Sequence, residues 1–324
     1  MRKSIRAIAF GLIVFGIAFS CLLFFSYSAF YHSGEMGNAR LVIIPKGFGL
    51  SDIAKHLEKN GVIKNRYVLI FGAKLLGVST ELKAGEYAFP ARVQPSKVLE
   101  FLSAGRTLIR QVTIPEGLTS AQIVRLLENE KTLSGFITKI PKEGSLFPET
   151  YNYSFGDTRA TILARMKKKM DIKLREAWGR RDKTIPIKNV YEALTLASII
   201  EKETAKREER FLIASVFTNR LSKKMRLQSD PTVTYGMSVN DLSRPISRAD
   251  LKRETLHNTY VVRGLPKTPI CNPGGASIEA ALNPARTDFF YFVAKGSGFH
   301  SFSKTLVEHN KNVRKWRSMR QKLK

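Results

Sequence analysis

The stretch Leu194-Thr-Leu-Ala-Ser-Ile-Ile-Glu-Lys-Glu-Thr204 decides how the chain is read. Leu196, Ile199 and Ile200 recur at helical spacing and therefore share one face of a helix. Glu203 follows Ile200 by three residues, Ile199 by four and Leu196 by seven, so it continues that apolar stripe. Glu201 is two residues away and projects towards nearly the opposite side. A carboxyl on an apolar face resists ionisation, because desolvation disfavours the charged form. A helix ending near Thr204 would add its negative dipole end to the same effect. Such a glutamic acid, still protonated near neutral pH, has the property required of a general acid. The plain structural alternative is a glutamate bonded to a buried arginine.

The chain has 324 residues, 43% of them hydrophobic, enough for two or three domains with packed cores. Its formal net charge of +27 predicts attraction to an anionic partner: nucleic acid, a lipid surface or an anionic polymer. The two cysteines, Cys21 and Cys271, are not expected to pair, since Cys21 lies in an apolar run. Residues Ala7 to Tyr31 carry no charged side chain, and Arg2, Lys3 and Arg6 precede them. This run has the length of a membrane span, and its basic flank predicts a cytoplasmic N-terminus. The competing reading is a cleaved signal peptide, with Ser26 and Ser28 as small residues near a cleavage point. Under both readings the bulk of the chain is extracytoplasmic, which argues against nucleic acid as partner.

After a polar tether, Ser33 to Arg40, short strands and helices follow one another. Leu41 to Gly47 reads as a strand and turn, and Ser51 to Leu57 as a helix ended by Gly61. Seventy residues on the unit recurs: Ile44, Pro45, Gly47, Ile53 and Leu57 match Ile114, Pro115, Gly117, Ile123 and Leu127 without a gap. Leu82 to Phe89 reads as a short strand pair and Ser96 to Ser103 as a helix. Thr158 to Trp178 reads as a basic amphipathic helix whose Lys167 to Lys169 form a solvated face. A second helix is expected over about Glu208 to Leu221, a short one over Ser277 to Leu282, and a basic one from Thr305. Asp288 to Val293 and His300 to Phe302 are expected as strands joined by a turn at Gly296-Ser-Gly298. The expected boundaries are 1–32 for the N-terminus and anchor, 33–110 for a small domain and 111–324 for the principal domain.

Loops rich in turn residues follow the central helix, notably Met225 to Gly236, Asn258-Thr-Tyr260 and Pro269 to Gly275. Asp230 reads either as a cap for a helix begun by Pro231 or as part of a site. Gln228, Thr232 and Tyr235 carry amide, hydroxyl and aromatic groups suited to sugars. No phosphate-cradling glycine loop, zinc spacing among the five histidines, or strand–Ser–helix elbow is found.

The segments Leu196 to Thr204, Arg226-Leu-Gln-Ser-Asp-Pro-Thr-Val-Thr-Tyr-Gly236 and Asn258-Thr-Tyr260 resemble the endolytic murein transglycosylase (YceG-like) family. So do Leu146-Phe-Pro-Glu-Thr-Tyr151, Pro269-Ile-Cys-Asn-Pro-Gly274 and Glu308-His-Asn310. The resemblance covers about Leu41 to Val313. Lys267 replaces a second proline common in the family, and the C-terminal tail is unusually basic. The resemblance implies a LysM-like domain over 33–110, then an α+β catalytic domain with a lysozyme-like helix. It further implies a membrane-anchored lytic transglycosylase that cuts peptidoglycan glycan strands internally, coupled to the strand-synthesis machinery. Glu203 matches the family's catalytic position, with Glu201 the second choice. By the same resemblance Gln228, Asp230, Thr232, Tyr235, Asn258, Tyr260 and Asn272 orient sugars or the acid, and no metal or cofactor is needed. Two other classes compete: a peptidoglycan-binding scaffold without activity, and a nucleic-acid binder motivated by charge alone.

Overall fold

A computed structural model describes residues 2–32, 37–237, 244–296 and 298–322. Ser33 to Met36 of the expected tether and Ser297 of the expected turn lie outside the described residues. The chain divides into two compact units, Met1–Gln111 with Asn152–Asp157, and Val112–Tyr151 with Thr158–Lys324.

The first unit begins with α1 (Arg2–Tyr31). Its segment Phe10–Tyr31 has 22 residues and a mean hydropathy of 2.2, long and apolar enough to cross a membrane by length and composition. Near its end Phe30 is buried against α3, where Gly72 leaves room for it. A Cβ at Gly72 would lie 2.2 Å from the Phe30 ring. Strand β1 (Arg40–Ile44), helices α2 (Leu50–Lys59) and α3 (Arg66–Leu75) and strand β2 (Gly85–Phe89) follow, with α4 (Pro95–Ala104) closing the group. β1 and β2 pair antiparallel, Val42 opposite Tyr87. Alternation buries Val42 and Ile44 from one strand and Tyr87 and Phe89 from the other, over Ile53, Leu57, Leu69, Leu99 and Leu102. The expected strand pair within Leu82 to Phe89 is therefore corrected. A single strand forms, and its partner is β1, because burial of Tyr87 and Phe89 outweighs a local turn.

The duplicated pattern holds locally. Gly47 and Gly117 both adopt positive φ, 89° and 78°, at the turns after β1 and after β3 (Ile109–Thr113). Ile53 and Leu57 of α2 and Ile123 and Leu127 of α5 (Ser120–Asn129) are all buried. α5 is fixed by a capping box between Thr119 and Gln122. Strand β3 pairs with β4 (Thr150–Ser154).

The second unit is built around α7 (Val190–Glu203), which follows the long basic α6 (Arg159–Gly179). Asn189 caps α7 by accepting the Glu192 N–H. α8 (Arg210–Ser222), α9 (Asp230–Tyr235), α10 (Arg248–Lys252) and α11 (Gly275–Leu282) come next. The hairpin β5 (Tyr291–Gly296) and β6 (Phe299–Ser303) and then α12 (Leu306–Lys322) complete it. α6, α8, α9 and α11 all pack on α7. Ala193 and Ala197 face Ala280 and Ala281 in the shared core. Small residues on both helices permit a close approach. The consequence differs from the expected stripe: all eight residues from Ala193 to Ile200 are buried, so α7 has no solvent face along its middle. Its polar groups are satisfied internally. Ser198 Oγ donates to Thr195 O at 2.7 Å and accepts the Ile270 N–H at 3.0 Å.

Leu196 is fully buried at the centre of this core. Leu196→Ala should destabilise the protein by about 2–5 kcal/mol, through lost burial and the cavity left behind. Thermal unfolding of the full chain should show a midpoint several degrees lower.

Candidate active site

α7 stops at Glu203, and Thr204 turns to extended backbone (φ −144°). The Thr204 hydroxyl accepts the Lys206 N–H at 3.0 Å and fixes the exit. The helix therefore delivers the Glu203 carboxyl, at its negative dipole end, into a cavity of about 340 Å³. Gln228, Asp230 and Tyr260 line that cavity with it, as do Arg220 from α8, Tyr291 and Phe292 from β5, and Leu306 and His309 from α12.

Burial pushes the Glu203 carboxyl up to about 7, from an ordinary 4.5. The charge of Asp230 acts in the same direction, while the Ser229 hydroxyl and the Arg220 guanidinium oppose it. Ser229 Oγ donates to Glu203 Oε1. Ser229 is itself held rigidly: its N–H donates to Thr259 Oγ1 at 2.9 Å, and its carbonyl accepts from Thr232 Oγ1 at 2.6 Å. The preceding Gln228 has φ +50°, a left-handed conformation unfavourable for a residue with a Cβ. Such strain costs on the order of 1–3 kcal/mol and persists where the surroundings impose it. Here the Gln228 N–H is anchored to Thr259 O at 3.2 Å, and the turn presents Gln228 and Asp230 at the cavity, with Ser229 buried between them against Glu203. Asp230 begins α9 at the position after the Ser229 cap, and its Oδ1 accepts the Tyr260 hydroxyl at 2.6 Å.

The other expected contacts lie elsewhere. Thr232 is fully buried, with its hydroxyl bonded to Ser229 O and, at 2.9 Å, to the Thr259 hydroxyl. Asn258 is buried and donates to the carbonyls of Asp250, Leu251 and Arg253 at the end of α10. Asn272 is buried, accepting the Leu146 N–H and donating to Leu118 O, Ser120 Oγ and Glu143 Oε1. Tyr235 donates to Glu143 Oε2 at 3.1 Å with its ring against His257, and burial pushes its hydroxyl up to about 12. None of these four lines the cavity. Each has its polar atoms committed to protein partners that hold the surrounding loops.

Glu201 is buried as well, contrary to the expectation that it would point away from the core. Its Oε1 accepts from Arg210 at 3.0 Å and its Oε2 accepts the Gly274 N–H at 2.9 Å. Arg210 also reaches Glu116 at 3.3 Å. The glutamate bonded to a buried arginine thus exists, at Glu201 rather than at Glu203. Ser229, Arg220, Tyr291 and His309 were not singled out from sequence. Ser229 and His309 stand inside stretches quoted above, but nothing local connects His309 with a helix a hundred residues earlier.

The Glu203 carboxyl, poised near neutrality at the end of a core helix and open to a polar cleft that it shares with Asp230, has the properties that a general acid requires. The chain belongs to the YceG-like family, whose model matches residues 42–315. It is 34% identical over 304 residues to the endolytic murein transglycosylase of Bacillus subtilis, covering 84% of this chain and 83% of that one. It is 31% identical over 320 residues to the endolytic murein transglycosylase of Streptococcus pneumoniae, covering 83% of this chain and 57% of the longer relative. The crystal structure of a YceG-like protein from Listeria monocytogenes matches with a TM-score of 0.51 at 34% identity, over 85% of this chain and 99% of that one.

Because folding raises the Glu203 pKa, the neutral acid's contribution is fully present below about pH 4.5 and is lost as pH rises through about 7. Glu203→Gln should therefore be more stable than the parent at pH 8, by about 1–3 kcal/mol, with the difference vanishing near pH 4. Thermal melts across pH check this, and a pH-independent difference would contradict it.

Proposed function

We propose that this chain is a lytic transglycosylase that cuts peptidoglycan glycan strands internally, between N-acetylmuramic acid and N-acetylglucosamine. The observation that carries this reading is the Glu203 carboxyl, raised to about 7 in a cleft of a chain closely related to murein transglycosylases. Glycosidases ordinarily use two carboxylates, one as acid and one as nucleophile or base. A lytic transglycosylase needs one, since the substrate supplies its own nucleophile. Glu203 gives its proton to the glycosidic oxygen as the bond from C1 to that oxygen breaks. The C6 hydroxyl of the same muramic acid attacks C1, and its proton passes to the Glu203 carboxylate. One C–O bond is exchanged for another, Glu203 returns to its starting form and no water is consumed. The product is a 1,6-anhydro-N-acetylmuramyl end.

The opposed influences on Glu203 suit both halves of this cycle. Burial and Asp230 favour the acid before cleavage, and Ser229 and Arg220 support the carboxylate formed by it. Gln228, Asp230 and Tyr260 are the proposed sugar contacts within the cavity. The N-terminal helix serves as a single-pass anchor with its basic flank in the cytoplasm, holding both units outside. The group of β1, α2, α3, β2 and α4 serves as the LysM-like glycan-binding domain. Cleavage of nascent strands would terminate their elongation beside the synthesis machinery. A scaffold without activity offers no use for an acid tuned to neutrality.

Glu203→Gln should lower the formation of anhydro ends from isolated peptidoglycan by at least about 10²–10⁴-fold while the protein remains folded. Unchanged yield in that variant would refute the reading. The general acid is lost as it ionises, so kcat/KM should fall about tenfold per pH unit above about 7. Ser229→Ala removes a bond that favours the carboxylate, and should move this alkaline limb upwards.

A further inference from the structure

Three further side chains at the cavity exchange no proton in the steps above, although the charge of Arg220 supports the Glu203 carboxylate. Arg220 comes from α8, Tyr291 from β5 and His309 from α12, and all three line the cavity with Glu203. Arg220 and His309 both pack on Tyr291. The Arg220 guanidinium carbon lies 5.3 Å from the centre of the Tyr291 ring, and the His309 imidazole lies 5.2 Å from the same ring at 29°. Arg220 is a fixed base for this column, donating to Phe290 O at 2.6 Å and Leu227 O at 2.7 Å, with Arg226 O at 3.4 Å.

His309 is fixed by its own helix turn. Thr305 and Glu308 bond reciprocally at the start of α12: Glu308 N–H donates to Thr305 Oγ1 at 3.2 Å, and Glu308 Oε2 accepts the Lys304 and Thr305 N–H groups. The His309 N–H then donates to Thr305 O at 3.0 Å. The imidazole itself is unsatisfied. Its Nδ1 is buried without a partner, and Nε2 has no bonded protein group among the described residues. Native interiors leave few such atoms unpaired, and those that occur call for an explanation.

Burial and the charge of Arg220 both push the His309 pKa below its usual value, so the ring is neutral near pH 7. The charged or titratable groups around it are Arg220, Tyr291 and, across the cavity, Glu203, Asp230 and Tyr260. A neutral imidazole beside a permanent cation is a poor base, so the C6 proton remains with Glu203. The His309 Nε2 still offers a hydrogen bond, as donor or acceptor according to the tautomer, to a sugar hydroxyl or acetamido group. Phe292 and Leu306 add apolar lining for the C–H surface of a pyranose.

The geometry points to His309 as a substrate-contacting residue: its Nε2 hydrogen-bonds an N-acetylated sugar in the cavity, on a wall built by Arg220 and Tyr291. The inference rests on the glycan reading proposed above. It makes the start of the basic C-terminal helix part of the site.

The test measures binding of purified, uncross-linked glycan strands to the full chain carrying Glu203→Gln, which binds without cutting. Adding His309→Phe keeps a ring against Tyr291 but removes the Nε2 hydrogen bond, and should weaken binding tenfold or more. Adding His309→Gln restores a donor and an acceptor and should recover most of the affinity. All variants should melt within a few degrees of the parent. With Glu203 restored, His309→Phe should lower kcat/KM by a similar factor and leave the alkaline limb in place. Equal binding by the Phe variant and its parent overturns the inference alone, as does a moved limb with unchanged binding. A parent that fails to bind the strands overturns the glycan reading, and the inference with it.

Discussion

Desolvation of one carboxyl is the constraint on which this structure turns. Placing Glu203 in the wall of a protein core disfavours its charge, and only partial compensation is offered. The Ser229 hydroxyl and the Arg220 charge pull towards ionisation, while burial and Asp230 pull harder the other way. Burial raises the Glu201 pKa too, but there both carboxyl oxygens are engaged, one by Arg210 and one by the Gly274 N–H, so that group ties segments together and does not line the cavity. Two glutamates two residues apart on one helix thus meet different partners, and only Glu203 opens onto the cavity.

Delivering a carboxyl to that position requires a helix that is itself core. α7 is wrapped by α6, α8, α9 and α11, and its buried middle fixes where its last residue lies. The loops around the cavity are then tied down by buried polar side chains. Thr232 and Thr259 clamp the strained turn that carries Gln228 and Ser229, and Asn258 gathers three carbonyls behind Tyr260. Elsewhere Asn272 ties its own loop to two others, through Leu118 and Ser120 and through Glu143 and Leu146. Preorganisation of this kind keeps donors and charges in place before substrate arrives. It explains why residues of sugar-binding type stand near the site without lining it.

The sequence was most legible where structure is local. Helix α7, its end at Glu203, the strand–turn–helix units and the hairpin before α12 all follow from periodicity and turn residues. The choice of Glu203 by its place on an apolar stripe met a complication: α7 is buried all round, so facing alone does not separate it from Glu201. What separates them is a salt bridge to Arg210, which no spacing rule announces. Long-range packing accounts for the other gaps. Tyr87 finds its strand partner more than forty residues earlier in the chain. Arg220, Tyr291 and His309 meet only after α8, β5 and α12 have assembled. Asn258, Thr232 and Asn272 carry chemistry useful in either a site or a scaffold, and only their hydrogen-bond partners tell the two apart.

The central claim is that a single acid suffices because the substrate supplies its own nucleophile. Asp230, a second carboxylate in the same cavity, makes this a real choice, since a pair of carboxylates is also the equipment of a hydrolase. Digestion of glycan strands in water enriched in oxygen-18, followed by mass analysis of the newly formed ends, separates the two chemistries directly. Anhydro ends free of the label are the predicted result. Reducing ends carrying oxygen-18 would contradict the account.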